Sequence, residues 1–363
     1  MMKKRTRLAV SLVLVFTLIF GACAPTVTEP PVDTQTPTAA EPPAETPQTS
    51  DEGQENVRAV VDQAGRTVTI EDPVERIISG FIISSSAVLA LGLEDRLVGI
   101  EARADERPLY ALAAPQLIEL PSVGTMRDFN LEGAVALAPD LVILPMRQLD
   151  NAEILTELGI PVIVVEPENP EALMEMIVLI AEATGVPERA VPLIDFYNRS
   201  LEEINQLTAD IHERPVVYMA GVGSYLTVAP RDMYQSSMIT LAGGQIASGD
   251  IPGNSWVEIS YEQLLTMNPE VIILPSEAGY SIEDVLNNPQ LAQISAVQNG
   301  RVYQMPNAFE SWDTPIPSFT LGIRWLLSVL HEEVYPIESM REYAAAFYAA
   351  FFRLEIDTTL IER

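Results

Sequence analysis

Four arginines occupy positions in this sequence from which they could bind an anionic group. Arg147 closely follows a predicted strand, Arg231 follows an Ala-Pro dipeptide in a predicted loop, and Arg103 and Arg127 also lie beyond predicted strands. A guanidinium group holds a carboxylate, a phosphate or an oxyanion through two parallel hydrogen bonds. We therefore predict that these arginines contact a small ligand, although surface arginines need no such explanation.

Other side chains beyond predicted strands form a second set of candidate ligand contacts. Trp256 and Trp312 are flanked by polar residues in predicted loops, a setting more typical of a binding element than of a core. Met126 could pack on a flat apolar ligand. The further candidates share only their position at a predicted edge of a sheet: Ser84, Ser85, Tyr225, Tyr280 and Asp313. Neighbouring positions at the same edges are weaker candidates: 81–83, 146, 148, 255, 276 and 277.

The three serines at 84–86 raise the alternative of an extracytoplasmic hydrolase. A Ser-His-Asp arrangement needs a histidine within hydrogen-bond reach. His212 and His331 are the only histidines, and neither is predicted near that edge. The sequence also contains no G-x-S-x-G, H-E-x-x-H or G-x-x-x-x-G-K pattern. We therefore expect a binding protein without catalytic residues.

The scarcity of histidine also bears on metals. Sites for free manganese or zinc commonly use imidazole, which suits these metals. His212 is predicted at the end of a helix and His331 within another, so both are expected to be structural or exposed. We expect no resident cofactor and no metal site, and iron would arrive inside a chelator.

The overall charge excludes several classes of partner. The chain has 363 residues, 51 acidic against 21 basic, and a formal net charge of −30. Nucleic-acid binding requires a basic surface, and an acidic chain does not adsorb broadly to an anionic membrane. The length allows about two domains, and 48% hydrophobic residues provide a sizeable core.

The N-terminal region predicts export and anchoring. Residues 1–7 are basic and residues 8–22 are an apolar stretch that ends in small residues, as in a secretory signal peptide. Cys23, the only cysteine, follows directly and resembles the lipidated cysteine of a bacterial lipobox, with Phe20 where leucine is usual. The alternative is a plain secretory signal. We expect an extracytoplasmic protein held to the cell membrane by lipid alone, in the periplasm or on the outer face.

The segment that follows predicts a tether. Residues 23–57 are rich in Pro, Thr, Glu and Ala and have almost no large apolar residues. Such a segment cannot bury enough apolar surface to fold. We expect it to hold the folded part away from the bilayer.

The folded part alternates short apolar strands with helices. This pattern over residues 58–168 predicts a parallel sheet that helices cover on both faces. Residues 169–213 have helical periodicity, interrupted at Gly185-Val186-Pro187, and their second piece would be about 40 Å long. We predict an N-terminal lobe at 58–168, a rigid connecting helix at 169–213, a C-terminal lobe at 214–336 and a helical tail at 337–363.

An internal repeat supports two similar lobes. The segments NLEGAVALAPDLVILP at 130–145 and SYEQLLTMNPEVIILP at 260–275 share one design, in which a helix ends at proline before an apolar strand. We predict an α/β protein of two similar lobes with parallel sheets, joined by one long helix. Its ligand cleft would lie between the lobes, beyond the carboxyl ends of the strands.

Residues 58–336 resemble the helical-backbone class of ABC-importer binding proteins, which take ferric siderophores, haem and vitamin B12. The resemblance is carried by the order and spacing of several segments: RIISG and LALGLEDRLVGI within 76–100, VGTMRDFNLEGAVALAPDLVIL at 123–144, LGIPVIVVE at 158–166, SWVEISYEQLLTMNPEVIIL at 255–274, ISAVQNGRVYQMP at 294–306 and PSFTLGIRWLLSVLHEEVYP at 317–336.

The resemblance implies two Rossmann-like lobes joined by one long helix. It also implies a monomer that captures a metal chelate and delivers it to an ABC permease and its ATPase. A ferric siderophore comes first, then haem or a corrinoid, and a molybdate or tungstate oxyanion is the alternative. In the vitamin B12 member a glutamate on each lobe docks onto arginines of the permease, and Glu132 and Glu262 match these positions. Alternatively, each glutamate is only an acid that favours a helix start.

The resemblance extends only in part to the vitamin B12 pocket. Trp256 matches an aromatic residue that packs on the corrin in that member. Met126 and Met146 stand where that member has aromatic residues. Cobalamin is therefore a less favoured ligand than another chelate.

Overall fold

The computed structural model describes residues 57–363, all within one compact unit. The predicted signal peptide, Cys23 and the predicted tether up to residue 56 lie outside the described residues. No helix in the described part of the chain is long and apolar enough to cross a membrane. A hairpin opens this part: β1 (Val57–Val61) and β2 (Thr67–Glu71) pair antiparallel.

The first lobe contains a four-stranded parallel sheet. Its strands are β3 (Ile77–Ser79), β4 (Leu97–Gly99), β5 (Leu141–Pro145) and β6 (Val162–Val165), in the order β4-β3-β5-β6. The helices of this lobe are α1 (Ile82–Ala90), α2 (Pro108–Ala113), α3 (Leu131–Ala136) and α4 (Leu149–Glu157). Every residue of the two central strands is buried, which explains why they read as continuous apolar runs.

The second lobe has a mixed sheet. Its strands are β7 (Val216–Gly221), β8 (Ser224–Val228), β9 (Gln245–Ile246), β10 (Val257–Glu258), β11 (Val271–Leu274) and β12 (Val302–Gln304), in the order β10-β8-β7-β11-β12 with β9 also paired to β7. Strands β7, β11 and β12 are parallel, as predicted, but β8 runs antiparallel to both β7 and β10. Only Val222 and Gly223 separate β7 from β8, and so short a connection can only reverse the chain.

Helices surround the second sheet. They are α7 (Tyr234–Leu241), α8 (Tyr261–Met267), α9 (Ile282–Leu286), α10 (Ser295–Gln298), α11 (Phe319–Leu330) and α12 (Ile337–Phe352). All twelve residues of α11 are buried, and α12 packs against it. Helix α12 also contacts α1 of the first lobe, so it packs against both lobes.

The connection between the sheets consists of two helices, α5 (Pro170–Ala183) and α6 (Pro187–Thr208). The predicted interruption is present, because Gly185 has a φ of +75° between them. Helix α6 has 22 residues and a length of about 33 Å. It contacts α5 at one end and α7 and α11 of the second lobe. The exact domain limits stay a prediction, since the described residues form a single unit.

The internal repeat has the same local structure in both lobes. Asn130 caps α3 by accepting the N–H of Gly133 at 3.0 Å, and Ser260 caps α8 with Gln263. Ala138 (φ 44°) and Asn268 (φ 39°) both have left-handed backbones after the helix. Each is followed by proline, which cannot continue a helix, and the chain then enters β5 or β11.

Candidate functional site

A cleft of about 660 Å³ lies between the two lobes. The first lobe contributes one face of helix α1 and the segment from 103 to 110. The second lobe contributes the ends of β7 and β11 and the segment from 307 to 316. The lining residues are Ile82, Ser86, Arg103, Glu106–Tyr110, Val222, Ser276, Glu277, Asn307, Phe309–Ser311, Asp313, Thr314 and Ile316.

The mouth of the cleft is crossed by an ion pair. Arg107 Nη1 donates to Glu277 Oε1 at 2.9 Å and so connects the first lobe to the second. Ser311 Oγ also donates to this carboxylate oxygen, at 3.1 Å. The Nε of Arg107 is buried and has no hydrogen-bond partner among the described residues. Arg107 therefore links the two lobes through a partly exposed ion pair, a kind of contact that contributes little to stability.

Arg103 lies at the exposed end of the same segment. Its backbone is left-handed, with a φ of 66°, and its guanidinium group pairs with Glu106. The hydrogen bond and the charge of Glu106 raise the pKa of Arg103, and the same bond lowers the pKa of Glu106. Both side chains are largely exposed, so this pair can open at little cost when a ligand competes for the arginine.

Two carboxyl groups form part of the buried side of the cleft, which we call the cleft floor. Glu310 Oε2 accepts a hydrogen bond from Tyr348 Oη at 3.0 Å. Burial raises the pKa of Glu310 to about 7, and the nearby hydroxyls of Ser318 and Tyr348 oppose this only in part. Burial also raises the pKa of Asp313, although Ser276 donates its Oγ to Oδ1 at 2.6 Å and its N–H to Oδ2 at 3.3 Å.

A third buried carboxylate lies behind the first-lobe wall. Glu101 accepts hydrogen bonds from Tyr110 Oη at 2.8 Å and from Ser85 Oγ. Burial raises the pKa of Glu101 above its ordinary value. Since Tyr110 lines the cleft, Glu101 fixes the position of a residue in the wall without lining the cleft itself.

The structure corrects the expected orientation of Ser84 and Ser85, both of which are fully buried. Ser84 bonds to Ser79 at 2.7 Å, and Ser85 bonds to Ser79 at 2.8 Å and to Glu101. Helix α1 begins at Ile82, before the serines. Positions 82 and 86 therefore share the helix face that lines the cleft, and the serines between them point inward.

The structure also corrects the expected placement of Trp312. This side chain is 1% exposed, and its Nε1 donates to Tyr348 Oη at 2.9 Å, so it is a core residue. Asp313, its neighbour, lines the cleft, and so does Arg103. That either residue contacts a ligand stays a prediction. Tyr348 of α12 supplies the acceptor that the indole N–H of a buried tryptophan needs.

Seven other candidate residues do not line this cleft. Tyr225 and Tyr280 pack edge to face at 5.4 Å within the second lobe, and Tyr280 Oη donates to the carbonyl of Gly221 at 2.7 Å. Arg231 pairs with Asp232 at the surface. Four more are at least partly exposed outside the cleft lining: Met126, Arg127, Arg147 and Trp256. That these seven contact a ligand stays a prediction.

Sequence reasoning missed most of the polar lining. Ser86, Glu106, Arg107, Asn307 and Glu310 lie in a helix or in irregular segments, away from the strand ends that were searched. One usable signal was the run FESWD at 309–313, where acids alternate with aromatic residues. Ser276 and Glu277 were among the candidates, because only Pro275 separates them from β11.

The two histidines and the two candidate docking residues also have defined positions. Within residues 57–363, no group of three or more His, Cys, Asp or Glu side chains is arranged to hold a metal ion. His331 is buried, with its Nε2 3.1 Å from the carbonyl oxygen of Gly243, whereas His212 is exposed. Glu132 and Glu262 are exposed in the first turns of α3 and α8, and neither has a salt-bridge partner among the described residues.

Comparison with known proteins identifies relatives that are similar to this chain in sequence and in structure. The chain is 24% identical to the molybdate-binding protein MolA of Haemophilus influenzae over 82% of this chain and 91% of that protein. The molybdate-bound structure of MolA, described as the periplasmic binding protein of an ABC transporter, superposes with a TM-score of 0.74 at 22% identity, covering 83% of this chain and 99% of MolA.

Two further proteins are similar. A vitamin B12-binding protein of Yersinia pestis is 27% identical over 55% of this chain and 69% of its own length. The crystal structure of a periplasmic solute binding protein from Veillonella parvula has a TM-score of 0.75 at 28% identity, and the match covers 84% of this chain and 95% of that one. Residues 83–309, more than half of the chain, match the family model described as periplasmic binding protein. This chain therefore belongs to the periplasmic binding protein family.

Proposed function

We propose that this chain is the substrate-binding lipoprotein of an ABC importer and that it captures a metal chelate, a ferric siderophore in the first place, in the cleft between its lobes. The observation that carries this proposal is the size of the cleft together with its lining from both lobes. At about 660 Å³ it falls in the range of pockets for drug-sized ligands. It would hold about 20 water molecules at their volume in the liquid.

The lining supports a large ligand of mixed polarity. Arg103 and Arg107 could hold carboxylate, hydroxamate or catecholate oxygens. Leu109, Phe309 and Ile316 offer apolar surface for an organic scaffold. The same features would accept haem or a corrinoid, whose rings are flat and apolar with anionic or polar edges.

Molybdate or tungstate is the second candidate ligand. The similarity to a molybdate-binding protein over most of the chain favours it. A small oxyanion would fill little of a cleft this size, and the carboxyl groups of Glu310 and Asp313 would repel it when ionised. The geometry therefore supports a chelate better than a bare oxyanion.

The proposed partners are an ABC permease and its ATPase. Glu132 and Glu262 support this proposal, because they are exposed at matching helix starts in the two lobes. Two carboxylates so placed could bond to arginines of a permease and fix the orientation of the complex. We further propose that the working unit is a monomer and that it catalyses no reaction.

Anchoring is proposed to depend on Cys23. Family membership supports an extracytoplasmic location, but it does not bear on whether a lipid is attached. Labelling of cells with a tagged fatty acid would mark the wild-type protein and leave a Cys23→Ser variant unmarked. A variant that is labelled equally would show that Cys23 is not the lipidated residue.

The test of function is native mass spectrometry with elemental analysis on full-length protein purified in detergent from its own host. The protein is then titrated with a ferric trihydroxamate, a ferric tricatecholate, haem, cobalamin and molybdate, and its melting temperature is followed. Binding of an iron complex, haem or cobalamin supports the proposal, and binding of molybdate alone selects the second candidate. If no compound co-purifies and none of the panel raises the melting temperature, the proposed function fails.

A further inference from the structure

The carboxylate of Glu277 occupies a position at the cleft mouth where two donors meet. Its Oε1 accepts hydrogen bonds from Arg107 Nη1 at 2.9 Å and from Ser311 Oγ at 3.1 Å. All three residues line the cleft. Arg107 directly precedes α2 of the first lobe, and Ser311 lies between β12 and α11 of the second lobe. Together these donors form a carboxylate subsite, which the protein's own Glu277 side chain fills.

The contact that Glu277 makes in this subsite is a weak one. Among the described residues only its Oε1 is hydrogen-bonded, and Arg107 contributes a single N–H to it. The strong form of an arginine–carboxylate pair is bidentate, with two parallel hydrogen bonds. The Glu277 side chain is also 54% exposed, and ion pairs so accessible to water contribute little free energy. A second carboxylate can therefore displace Glu277 at a small cost.

The backbone beside Glu277 is anchored, so displacement needs only a movement of the side chain. The neighbouring Ser276 donates its Oγ to Asp313 at 2.6 Å, and its carbonyl oxygen accepts a hydrogen bond from Asn307 Nδ2 at 2.8 Å. Rotation about the side-chain bonds of Glu277 is enough to carry its carboxylate into water. The Arg107 side chain is only 23% exposed and is less free to follow it.

We propose that Glu277 is an internal competitor for this subsite and that the preferred ligand carries a free carboxylate, separate from its metal-binding groups, which displaces Glu277. The ligand carboxylate then accepts hydrogen bonds from Arg107 and Ser311, and the ligand links the two lobes in place of Glu277. A ligand without such a group leaves Glu277 where it is. This inference rests on the proposed function, which supplies the metal chelate, and adds the chemistry of its outer arm.

The test compares ligands that differ only in the carboxylate. One pair is a ferric linear trihydroxamate whose terminal amine is either succinylated, which adds a carboxylate, or acetylated. The other pair is haem, whose propionates supply the same group, and haem dimethyl ester. Affinities are measured by calorimetry with the full-length protein in detergent, and the pair that binds identifies the scaffold. Within that pair we expect the carboxylate form to bind about 10-fold more tightly, as a charge-assisted hydrogen bond predicts.

A double-mutant cycle separates displacement from general charge repulsion. Glu277→Gln removes the competitor and should raise the affinity for the carboxylate form about 2- to 5-fold, the range that an exposed ion pair allows, without changing the affinity for the neutral form. Loss of any negative charge near the ligand could also raise it. The substitution is therefore repeated together with Arg107→Gln, which removes the main donor of the subsite. In that background the increase should disappear, because Glu277 no longer blocks a donor.

Equal binding of the two members of a pair by the wild-type protein would overturn the inference without the use of any variant. An increase that persists in the Arg107→Gln background would overturn it as well, since it would show simple repulsion between like charges. In both cases the proposed function stands, because a chelate is still bound. If neither pair binds, the inference also fails, and the earlier panel decides the proposed function separately.

Discussion

The stability of the protein should depend on pH through Glu310, and replacing this residue should change that dependence. Burial raises the pKa of Glu310 from an ordinary value of 4.5 to about 7 in the folded protein. Between these two values the folded protein binds a proton that the unfolded chain has released. Linkage then requires the free energy of unfolding to fall as pH rises through this interval, and to stay reduced above it.

The size of the effect follows from the two pKa values. A difference of about 2.5 units corresponds to about 3.4 kcal/mol at high pH, at 1.36 kcal/mol per unit. Some of the loss has already occurred by about pH 5, so the change between about pH 5 and about pH 8 is about 2.5 kcal/mol. Glutamine has nearly the same shape and does not ionise, so Glu310→Gln should escape this loss.

The measurement is urea denaturation of the wild-type protein and Glu310→Gln at both pH values, without ligand. The buried Asp313 and Glu101 also titrate with raised pKa values, but they are present in both proteins and cancel in the difference. The free energy of unfolding of the variant, relative to wild type, should rise by about 2.5 kcal/mol from the lower to the higher pH. Glu153→Gln, which neutralises an exposed carboxyl group on α4 outside the cleft lining, should show no such rise. If the difference between wild type and Glu310→Gln is the same at both pH values, the reasoning about burial of this carboxyl group is refuted.

Three further predictions concern other parts of the molecule. Glu277→Gln removes the ion pair that joins the lobes through Arg107, and because Glu277 is 54% exposed, urea denaturation should show a loss below about 1 kcal/mol; a loss of several kcal/mol would show that the pair holds the lobes together. Trp312→Phe should lower the free energy of unfolding by about 2–4 kcal/mol, since it leaves a cavity and removes the hydrogen bond to the α12 tyrosine; a variant of unchanged stability would contradict its place in the core. Glu132→Gln combined with Glu262→Gln should reduce uptake of the ligand into cells at least about 10-fold with unchanged affinity in calorimetry, and normal uptake would argue against docking through these residues.

The parts of the fold that could be predicted are those specified by local sequence. Strands β5 and β11 were recognised because each is an apolar run that follows a proline-terminated helix. The break at Gly185 and the long helix after it were likewise predicted from helical periodicity. Helix α2 and strand β8 were missed, because one is six residues long and the other follows β7 after only two residues.

The cleft was harder to predict than the fold, since it is made by contacts between distant residues. Arg107 and Glu277 are 170 positions apart, and nothing near either residue indicates the other. Trp312 looked like a binding element because its sequence neighbours are polar, yet α12 covers it in three dimensions. Arg103 and Asp313 line the cleft and were among the candidates, because both lie in loops that follow predicted strands.

The 22 residues of α6 also have a mechanical consequence for transport. A continuous helix resists changes in its length, and this one runs from the packing of the first lobe to that of the second. It therefore acts as a rigid spacer. The lobes can tilt relative to each other, but their separation along the helix axis is fixed. A membrane partner that grips both lobes would meet nearly the same span on empty and loaded protein. The partner would then distinguish the two forms by small rotations of the lobes or by contact with the ligand at the mouth of the cleft. Any wider separation of the lobes would have to be driven by the transporter.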